Sequence, residues 1–217
     1  MSKDVVVVDH PLVLHKLTQM RARETSSGLF RRLLKETSML LGYEATRDLT
    51  LVEREIETPI ERMRAPSLEN EEIVLVSVLR AGNGILDGML EILPSARVGY
   101  IGLYRDPETL EAVQYYANLP QDMAGHGAIV LDPMLATGHS AHEAIRVVKR
   151  HAPAWIRFVA LVAAPEGIAH LRARHPDVTI YTAAVDRELN DHGYIMPGLG
   201  DAGDRLFGTK PPKRSAV

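Results

Sequence analysis

"AIVLDPMLATGHSAHEAIRVVKRH", residues 128–151, runs from an apolar stretch through a short turn into a helical pattern. Residues 128–131 are all apolar, which is typical of a parallel strand that is covered on both faces. Asp132 and Pro133 end this run, and mostly small or hydroxyl-bearing residues follow up to Ser140. From Ser140 onward, apolar residues recur at helical spacing. A strand, a turn and a helix in this order indicate an α/β fold.

The same alternation of strand and helix patterns fills residues 73–186. Strands that alternate with helices of this length predict right-handed βαβ units and a central, mostly parallel sheet with helices on its faces. The predicted strands are 73–79, 97–104, 128–132, 156–164 and 178–185, and the predicted helices are 84–93, 140–151 and 165–175.

Two helical patterns and a charged segment precede this core. Residues 11–48 place apolar side chains at helical spacing, and Ser26 or Ser27 is positioned to cap the second helix. Residues 49–64 are charged and partly alternating, which predicts a small, exposed β hairpin. We therefore expect one α/β domain over residues 1–217, with an N-terminal helical segment and a small hairpin.

The composition excludes several kinds of function. The 217 residues include no cysteine, which excludes thiol catalysis, disulfides and thiolate metal sites. A formal net charge of -3 provides no general basic field for nucleic acid or anionic membranes. The N-terminal residues lack a signal-peptide pattern, and no apolar window reaches the length of a membrane helix. We therefore expect a cytoplasmic protein that binds neither nucleic acid nor membranes.

The turn after the predicted strand 128–132 has the chemistry to hold a phosphorylated sugar. Ligands of parallel sheets bind beyond the carboxyl ends of the strands, and helix N-termini offer unpaired N–H groups to phosphate. Gly138 allows close approach, and the hydroxyls of Thr137 and Ser140 can add donors. Asp132 can accept hydrogen bonds from sugar hydroxyls. The alternative is that Thr137 and Ser140 only cap the helix, since capping is a common use of such residues.

This turn and five other segments resemble the uracil phosphoribosyltransferase family, which has the type I phosphoribosyltransferase fold. The similarity extends over about residues 10–210 and keeps the order of the segments. The DPMLATG element and the C-terminal GYIMPGLGDAGD stretch are specific when they occur together. The segments are LLGYEATRDL, VLRAGNGILDGML, LYRDPETLEAVQYY, VLDPMLATG, LVAAPEGI and HGYIMPGLGDAGDRLFGTK.

The resemblance implies transfer of the 5-phosphoribosyl group from 5-phospho-α-D-ribose 1-diphosphate (PRPP) to uracil, with UMP and diphosphate as products. It implies catalytic roles for Asp132, Arg105 and Asp201, and our hypothesis is that Asp201 acts as a general base. Within residues 187–210, those implied to bind uracil are Ile195, Gly200, Asp201 and Ala202. The residues implied to bind PRPP are Arg80, Arg105, Asp132, Pro133, Met134, Leu135, Ala136, Thr137, Gly138, His139, Ser140 and Asp201.

The resemblance also implies a cofactor and partners. Mg²⁺ would be carried mainly by PRPP, because Pro133 occupies the position at which many purine-specific relatives have a second acidic residue. The expected small-molecule partners are uracil and PRPP, with GTP as a candidate effector. The family also implies a homodimer or a higher homo-oligomer. Residues 104–116, which include Arg105, are expected to form a flap that closes over the substrates.

One residue departs from the family pattern. His139 stands where the family usually has glycine. A glycine at that position suggests a backbone with positive φ, which histidine can also adopt. We favour an inert replacement. The competing hypothesis is that a protonated His139 donates a hydrogen bond to the 5′-phosphate.

Three other interpretations stay open at this point. Proteins of this fold include RNA-binding regulators that sense pyrimidine nucleotides, although the net charge argues against them. Gly82, Gly84 and Gly88 suggest a dinucleotide-binding turn after the predicted strand 73–79, which would suit an NAD-dependent reductase, but their spacing differs from the Rossmann fingerprint. The sequence GLGDAG at 198–203 does have the fingerprint spacing. The preceding Pro197 and the absence of a βαβ pattern around it argue against that function. The sequence HSAHE at 139–143 could suggest zinc, but it lacks the spacing of known zinc sites.

Overall fold

The computed structural model describes residues 4–105 and 112–209, and for Arg105 and Ala112 only the backbone. Among the described helices, none combines the length and apolarity that crossing a bilayer requires. In chain order the elements are β1 (Val5–Val7), α1 (Pro11–Arg21), α2 (Ser27–Ala45), β2 (Leu51–Glu57), β3 (Arg62–Leu68), β4 (Val74–Leu79), α3 (Asn83–Ile92), β5 (Arg97–Arg105), β6 (Ala112–Asn118), β7 (Gly127–Leu131), β8 (Met134–Leu135), α4 (His139–Lys149), β9 (Trp155–Ala163), α5 (Pro165–Arg174), β10 (Thr179–Val185), β11 (Glu188–Leu189), β12 (Ile195–Met196) and α6 (Ala202–Phe207).

Eight strands of the described chain form one sheet in the order β1–β10–β9–β7–β4–β5–β6, with β8 added beside β9. All neighbours in this sheet are parallel except β5 and β6, which pair antiparallel. The central strands are covered on both faces, since β7 is buried throughout and β4 is buried over residues 74–78. The prediction of a central, mostly parallel sheet flanked by helices is confirmed.

Helices cover both faces of the sheet because alternate residues of each buried strand point to opposite sides. One core packs α1, α2 and α3 against one face, and it includes Phe30 of α2 together with Leu75 of β4. The other core packs α4 and α5 against the opposite face, where Ile145 and Leu171 meet Val76 of β4. The sheet is therefore a fixed support for the loops that leave its carboxyl edge.

The predicted N-terminal helices and hairpin are also confirmed, with changed boundaries. The side chain of Ser26 accepts a hydrogen bond from the N–H of Leu29, so Ser26 is the residue that caps α2. The hairpin of β2 and β3 reaches residue 68, beyond the predicted end at residue 64. Pro66 fits into β3 because a two-stranded hairpin leaves an outer edge at which the missing N–H of proline is tolerated.

The sequence patterns do not predict the two edge strands of the large sheet. β1 pairs in parallel with β10, and its three residues are too few to show a period. β6 pairs antiparallel with β5 and forms the opposite edge. Of the region expected to form a flap, residues 104–105 belong to β5 and residues 112–116 belong to β6, whereas residues 106–111 lie outside the described part of the structure.

Candidate active site

A cleft of about 320 Å³ lies beyond the carboxyl ends of β4 and β8, where parallel sheets usually bind ligands. Its walls combine residues of the turn after β7 (residues 132–140, the phosphate turn) with residues from the C-terminal part of the chain. We call residues 195–203 the base segment. The lining residues are Ala81, Met134, Ala136, His192, Gly193, Tyr194, Ile195, Gly200, Asp201, Ala202 and Gly203. All four residues predicted to bind uracil are among them.

The end of the phosphate turn has the backbone geometry of an anion-binding site. Gly138 is the N-cap residue of α4 and has a left-handed conformation, with φ at 83°. A Cβ atom there would lie 2.9 Å from the carbonyl oxygen of Gly167, so a larger residue would displace α5. The N-cap residue of α4 is therefore Gly138, which has no side chain to cap the helix, and not Thr137 or Ser140. The first N–H groups of α4 are therefore oriented for an anion.

His139 does not have the positive φ that its glycine counterpart suggests. It is the first residue of α4, and in the described chain Ala152, at 50°, is the non-glycine residue with a positive φ. The expectation of a left-handed His139 is therefore wrong, because the bend is made by the preceding Gly138. The exposed ring of His139 packs edge-on against His170 of α5, with 4.6 Å between the ring centroids.

Asp132 stands directly after β7, at the start of the phosphate turn. Its carboxylate accepts a hydrogen bond from the N–H of Met134 at 3.3 Å. The residue is partly accessible to solvent, but burial raises the pKa of its carboxyl to about 7, and the Met134 N–H opposes that rise. The carbonyl of Pro133 accepts from the N–H groups of Leu161 and Val162, at 3.0 and 3.1 Å. The turn is therefore fixed to β9, and its leading carboxyl titrates near neutral pH.

Of the two arginines predicted to contact diphosphate, the structure describes the side chain of Arg80 but not that of Arg105. Arg80 follows β4, is exposed, and has its guanidinium carbon 5.6 Å from the ring centroid of Phe207 in α6. Close by, a Cβ atom at Gly82 would lie 2.5 Å from the carbonyl oxygen of Leu131, so glycine lets this loop contact the end of β7. The side chain of Arg105 lies outside the described part of the structure.

The base segment lines the cleft mainly with backbone and small side chains. Gly198 and Gly200 have left-handed conformations, with φ at 62° and 81°. Asp201 is the N-cap residue of α6, and its carboxylate accepts a hydrogen bond from the N–H of Asp204 at 2.8 Å. Asp201 therefore stabilises the start of a helix while it lines the cleft.

Two alternative interpretations gain no support from this geometry. The GLGDAG stretch at 198–203 follows the two-residue strand β12 and leads into the six-residue helix α6, so it is not part of a βαβ unit. His142 and His175 are hydrogen-bonded ring to ring, with 2.9 Å between Nδ1 and Nε2. Burial lowers the pKa of His142 and lowers that of His175 to about 4. Within residues 4–105 and 112–209, no group of histidine and acidic side chains has the arrangement of a metal site.

The sequence patterns miss two residues that support the base segment. Arg21, the last residue of α1, and Asp186, which follows β10, form an ion pair at 2.6 Å. The Asp186 carboxylate also accepts from the N–H of Gly198 at 2.8 Å, and Arg21 donates to the Gly198 carbonyl at 2.7 Å. An acidic residue directly after an apolar strand is the signal that identified Asp132, and the same signal could have identified Asp186. No comparable signal marks Arg21.

The family model of uracil phosphoribosyltransferase matches residues 7–209, nearly the whole chain. The chain belongs to this family. Proteins named uracil phosphoribosyltransferase are 60% identical over 207 residues in Acidovorax sp. (strain JS42) and 61% identical over 204 residues in Myxococcus xanthus. These matches cover 95% and 94% of this chain, and 99% and 97% of the relatives. The resemblance indicated by the motifs is confirmed, and the findings do not support the RNA-binding regulator.

Solved structures share the fold of this chain. A structure described as the AQ2163 protein from Aquifex aeolicus has a TM-score of 0.91 and 43% identity, and the match covers 95% of this chain and 99% of that one. A hypoxanthine-guanine phosphoribosyltransferase from Bacillus anthracis has a TM-score of 0.51 and 18% identity, with 74% and 80% of the two chains covered. The second likeness shows the fold alone, so any base preference must be argued from the cleft itself.

Proposed function

We propose that this chain transfers the 5-phosphoribosyl group of PRPP to uracil, which gives UMP and diphosphate. The proposal depends on one observation. Met134 and Ala136 of the phosphate turn share a cleft with Ile195, Gly200 and Asp201 of the base segment. Transfer of a phosphoribosyl group requires that a sugar phosphate and an incoming base are held side by side. A single cleft formed by the phosphate turn and the base segment supports this arrangement.

The phosphate turn would hold the two ends of the ribose phosphate. The first N–H groups of α4 bind the 5′-phosphate, and Gly138 lets it approach the backbone. Asp132 accepts hydrogen bonds from the ribose hydroxyls. Loss of diphosphate from C1 gives an oxocarbenium-like transition state, whose positive charge an ionised Asp132 stabilises. Because burial raises the pKa of Asp132 to about 7, the ionised fraction of the ligand-free protein grows as the pH rises through that value.

Cations would neutralise the departing diphosphate. Arg80 presents an exposed guanidinium at the carboxyl edge of the sheet, and the family resemblance assigns the same role to Arg105. Mg²⁺ prefers oxygen ligands, and the nearby carboxylates are those of Asp201, which lines the cleft, and of Asp132, which begins the phosphate turn. The described residues hold no larger acidic group, so PRPP would supply most of the ligands of the ion. The bound ion would add positive charge at the phosphates of the leaving group.

The base segment would orient uracil so that its N1 atom meets C1 of the ribose. Our hypothesis is that Asp201 accepts the N1 proton, because its carboxylate lines the cleft. The Asp201→Asn variant tests this role, since the amide oxygen can still accept the N–H of Asp204 and cap α6. We expect kcat to fall at least about tenfold with little change in melting temperature. A kcat within about twofold of the wild-type value would exclude the role.

We also propose that the protein forms a homodimer or a higher homo-oligomer. The hairpin of β2 and β3 exposes Leu51, Ile56, Ile60 and Met63, and Ile60 is 92% exposed. An apolar surface of this kind is commonly covered by another subunit. GTP as an effector and a cytoplasmic location are further proposals, and they rest on the family resemblance and the composition.

The test of the proposed function is an assay of diphosphate release and nucleotide formation. Purified protein is mixed with Mg²⁺, PRPP and one nucleobase at a time, and products are separated by chromatography. We expect UMP from uracil, turnover at least about tenfold slower with cytosine or adenine, and loss of activity when EDTA removes Mg²⁺. Absence of UMP in the presence of Mg²⁺, PRPP and uracil would contradict the proposal.

A further inference from the structure

We propose that Arg21 and Asp186 are positioning residues that set the affinity for the nucleobase by fixing the base segment. Neither side chain lines the cleft, so their effect would be transmitted through the backbone of the segment. The inference rests on the proposed function, because it names the substrate whose binding the pair controls.

The ion pair encloses both backbone polar groups of one residue. Arg21 donates from Nη1 to Asp186 Oδ2 at 2.7 Å and from Nη2 to Oδ1 at 2.6 Å, which is the bidentate geometry of a strong pair. The same Oδ2 atom accepts from the N–H of Gly198 at 2.8 Å, and the same Nη1 atom donates to the Gly198 carbonyl at 2.7 Å. Gly198 is thus held from both sides, in a conformation with φ at 62° that disfavours other residues.

The environment of the pair makes these bonds strong and makes their loss costly. Asp186 is buried, with 8% of its surface exposed, and its N–H donates to the carbonyl of Ala163 at the end of β9 at 2.8 Å. The carboxylate is therefore fixed relative to the sheet. An anion in such a position needs its partner, because an unpaired buried charge is strongly unfavourable.

A second arginine extends the connection to the next residue of the segment. Arg205 of α6 donates to the carbonyl of Leu199 at 2.9 Å and to the carbonyl of Ala22 at 2.6 Å, and also to the carbonyl of Met20. Residues 20–22 at the end of α1 therefore form the platform on which the base segment rests. Ile195 and Gly200, which lie on either side of Gly198 in the base segment, both line the cleft, so its wall follows any movement of this support.

The phosphate turn does not depend on this platform. Its carbonyl at Pro133 and the N–H of Asp132 are bonded to β9, and the described contacts of Arg21 and Asp186 do not include residues 132–140. Loss of the ion pair would therefore loosen the wall that faces the base and leave the wall that faces the 5′-phosphate in place. A less ordered wall weakens binding because the ordering must then occur when the base binds.

The experiment compares steady-state kinetics of wild-type protein with Asp186→Asn and Arg21→Met. Asp186→Asn keeps the size of the side chain and removes its charge. Arg21→Met keeps an apolar side chain of similar length and removes the guanidinium group. We expect the KM for uracil to rise at least about tenfold in both, while the KM for PRPP changes less than about twofold. Arg21→Lys keeps a positive charge but cannot make the bidentate contact of a guanidinium. We expect its KM for uracil to lie between those of the wild-type protein and Arg21→Met.

Arg31→Met is the matched control. Arg31 of α2 is an exposed arginine that, like Arg21, donates to a backbone carbonyl, that of Leu206 at 2.8 Å, but this acceptor lies beyond the base segment. We expect its two KM values to stay within about twofold of the wild-type values. A merely structural loss in the other variants would lower the amount of active enzyme and kcat, without the selective change in KM for uracil.

Hydrogen exchange gives a second readout that needs no activity. In Arg21→Met we expect amides of residues 198–203 to exchange at least about tenfold faster, with residues 134–140 unchanged. Unchanged KM for uracil, equal changes in both KM values, or unchanged exchange at 198–203 would overturn the inference. If wild-type protein forms no UMP, the proposed function fails, and the exchange experiment still decides whether the ion pair holds the segment.

Discussion

The phosphate turn and the base segment face each other across one cleft, yet the chain supports them in opposite ways. The turn joins β7, β8 and α4, which follow each other directly in sequence, and backbone hydrogen bonds fix it to β9. The base segment contains the two-residue strand β12 and the start of α6, and its middle, residues 198–199, is held by the side chains of Arg21, Asp186 and Arg205. Arg21 and Gly198 are separated by 177 positions in the chain. Local structure thus builds the anion site, and long-range side-chain contacts build the base site.

This difference has a consequence for specificity. In the proposed function, a turn made from backbone groups would bind the part of the substrate that does not vary, the 5′-phosphate. A segment held by a few side chains can change when those side chains or the segment change, while the sheet stays intact. Base preference can therefore vary on a common fold.

The largest expected effect comes from removing the charge of the phosphate turn. Asp132→Asn keeps an oxygen that can accept from the N–H of Met134, so the turn should keep its shape. In the proposed mechanism, this substitution removes the negative charge that stabilises the positive charge developing on the ribose. We expect kcat/KM for PRPP to fall about 100- to 1,000-fold, which steady-state assays of UMP formation would measure. A loss below about fivefold would contradict the role of Asp132.

The pH dependence of the stability of Asp132→Asn is a separate check that the substitution removes a buried carboxyl. Burial raises the pKa of Asp132 from its ordinary value of 3.8 to about 7, so the folded protein binds this proton more tightly than the unfolded chain. Wild-type protein therefore loses stability as the pH rises from about 4 to 7, whereas Asp132→Asn does not. Above pH 7 we expect the free energy of unfolding of the variant to exceed that of the wild-type protein by on the order of 2 kcal/mol. This value is reduced because Asp132 is partly accessible to solvent. Urea denaturation at both ends of this range would measure it.

A second prediction tests the backbone of the turn. Gly138→Ala places a Cβ atom 2.9 Å from the carbonyl of Gly167 in a left-handed conformation, so the start of α4 must shift. We expect the KM for PRPP to rise about 10- to 100-fold and the KM for uracil to change much less. Gly125→Ala is the matched control, because Gly125 has φ at 80° but no atom within 4 Å of the added carbon. An equal effect of both substitutions on PRPP binding would show that strain alone, not the fit of the turn, is responsible.

The same contrast explains how much of the molecule the sequence predicts. The alternation of apolar strands and helices predicts the sheet, and the run from Asp132 to Gly138 predicts the phosphate turn, because both depend on neighbours in sequence. The three residues of β1 carry no period, and β6 belongs to a polar segment that favours an irregular loop. The pairing of Arg21 with Asp186 depends on the folded chain, and no local pattern encodes it.

The smallest effect is expected at the residue that departs from the family pattern. His139 contributes its backbone N–H to the first turn of α4, and glycine would contribute the same group. We therefore expect the N–H groups proposed to bind phosphate to be kept in His139→Gly. The ring is exposed and packs on His170, whose pKa burial lowers, with Arg174 and His139 also disfavouring its protonation. His142 and Glu143 of α4 lie nearby, so an added charge at His139 would meet both signs.

An exposed side chain contributes little to binding, so we expect His139→Gly to weaken PRPP binding at most about fivefold. The competing hypothesis of a charged His139 predicts that this difference is larger at pH 6 than at pH 8. Calorimetric titration of PRPP into both proteins at the two pH values would measure it, with His151→Gly on the opposite end of α4 as the control for loss of a histidine. If the pH dependence of the two proteins is identical, His139 is an inert replacement, and the backbone of the phosphate turn alone carries the 5′-phosphate.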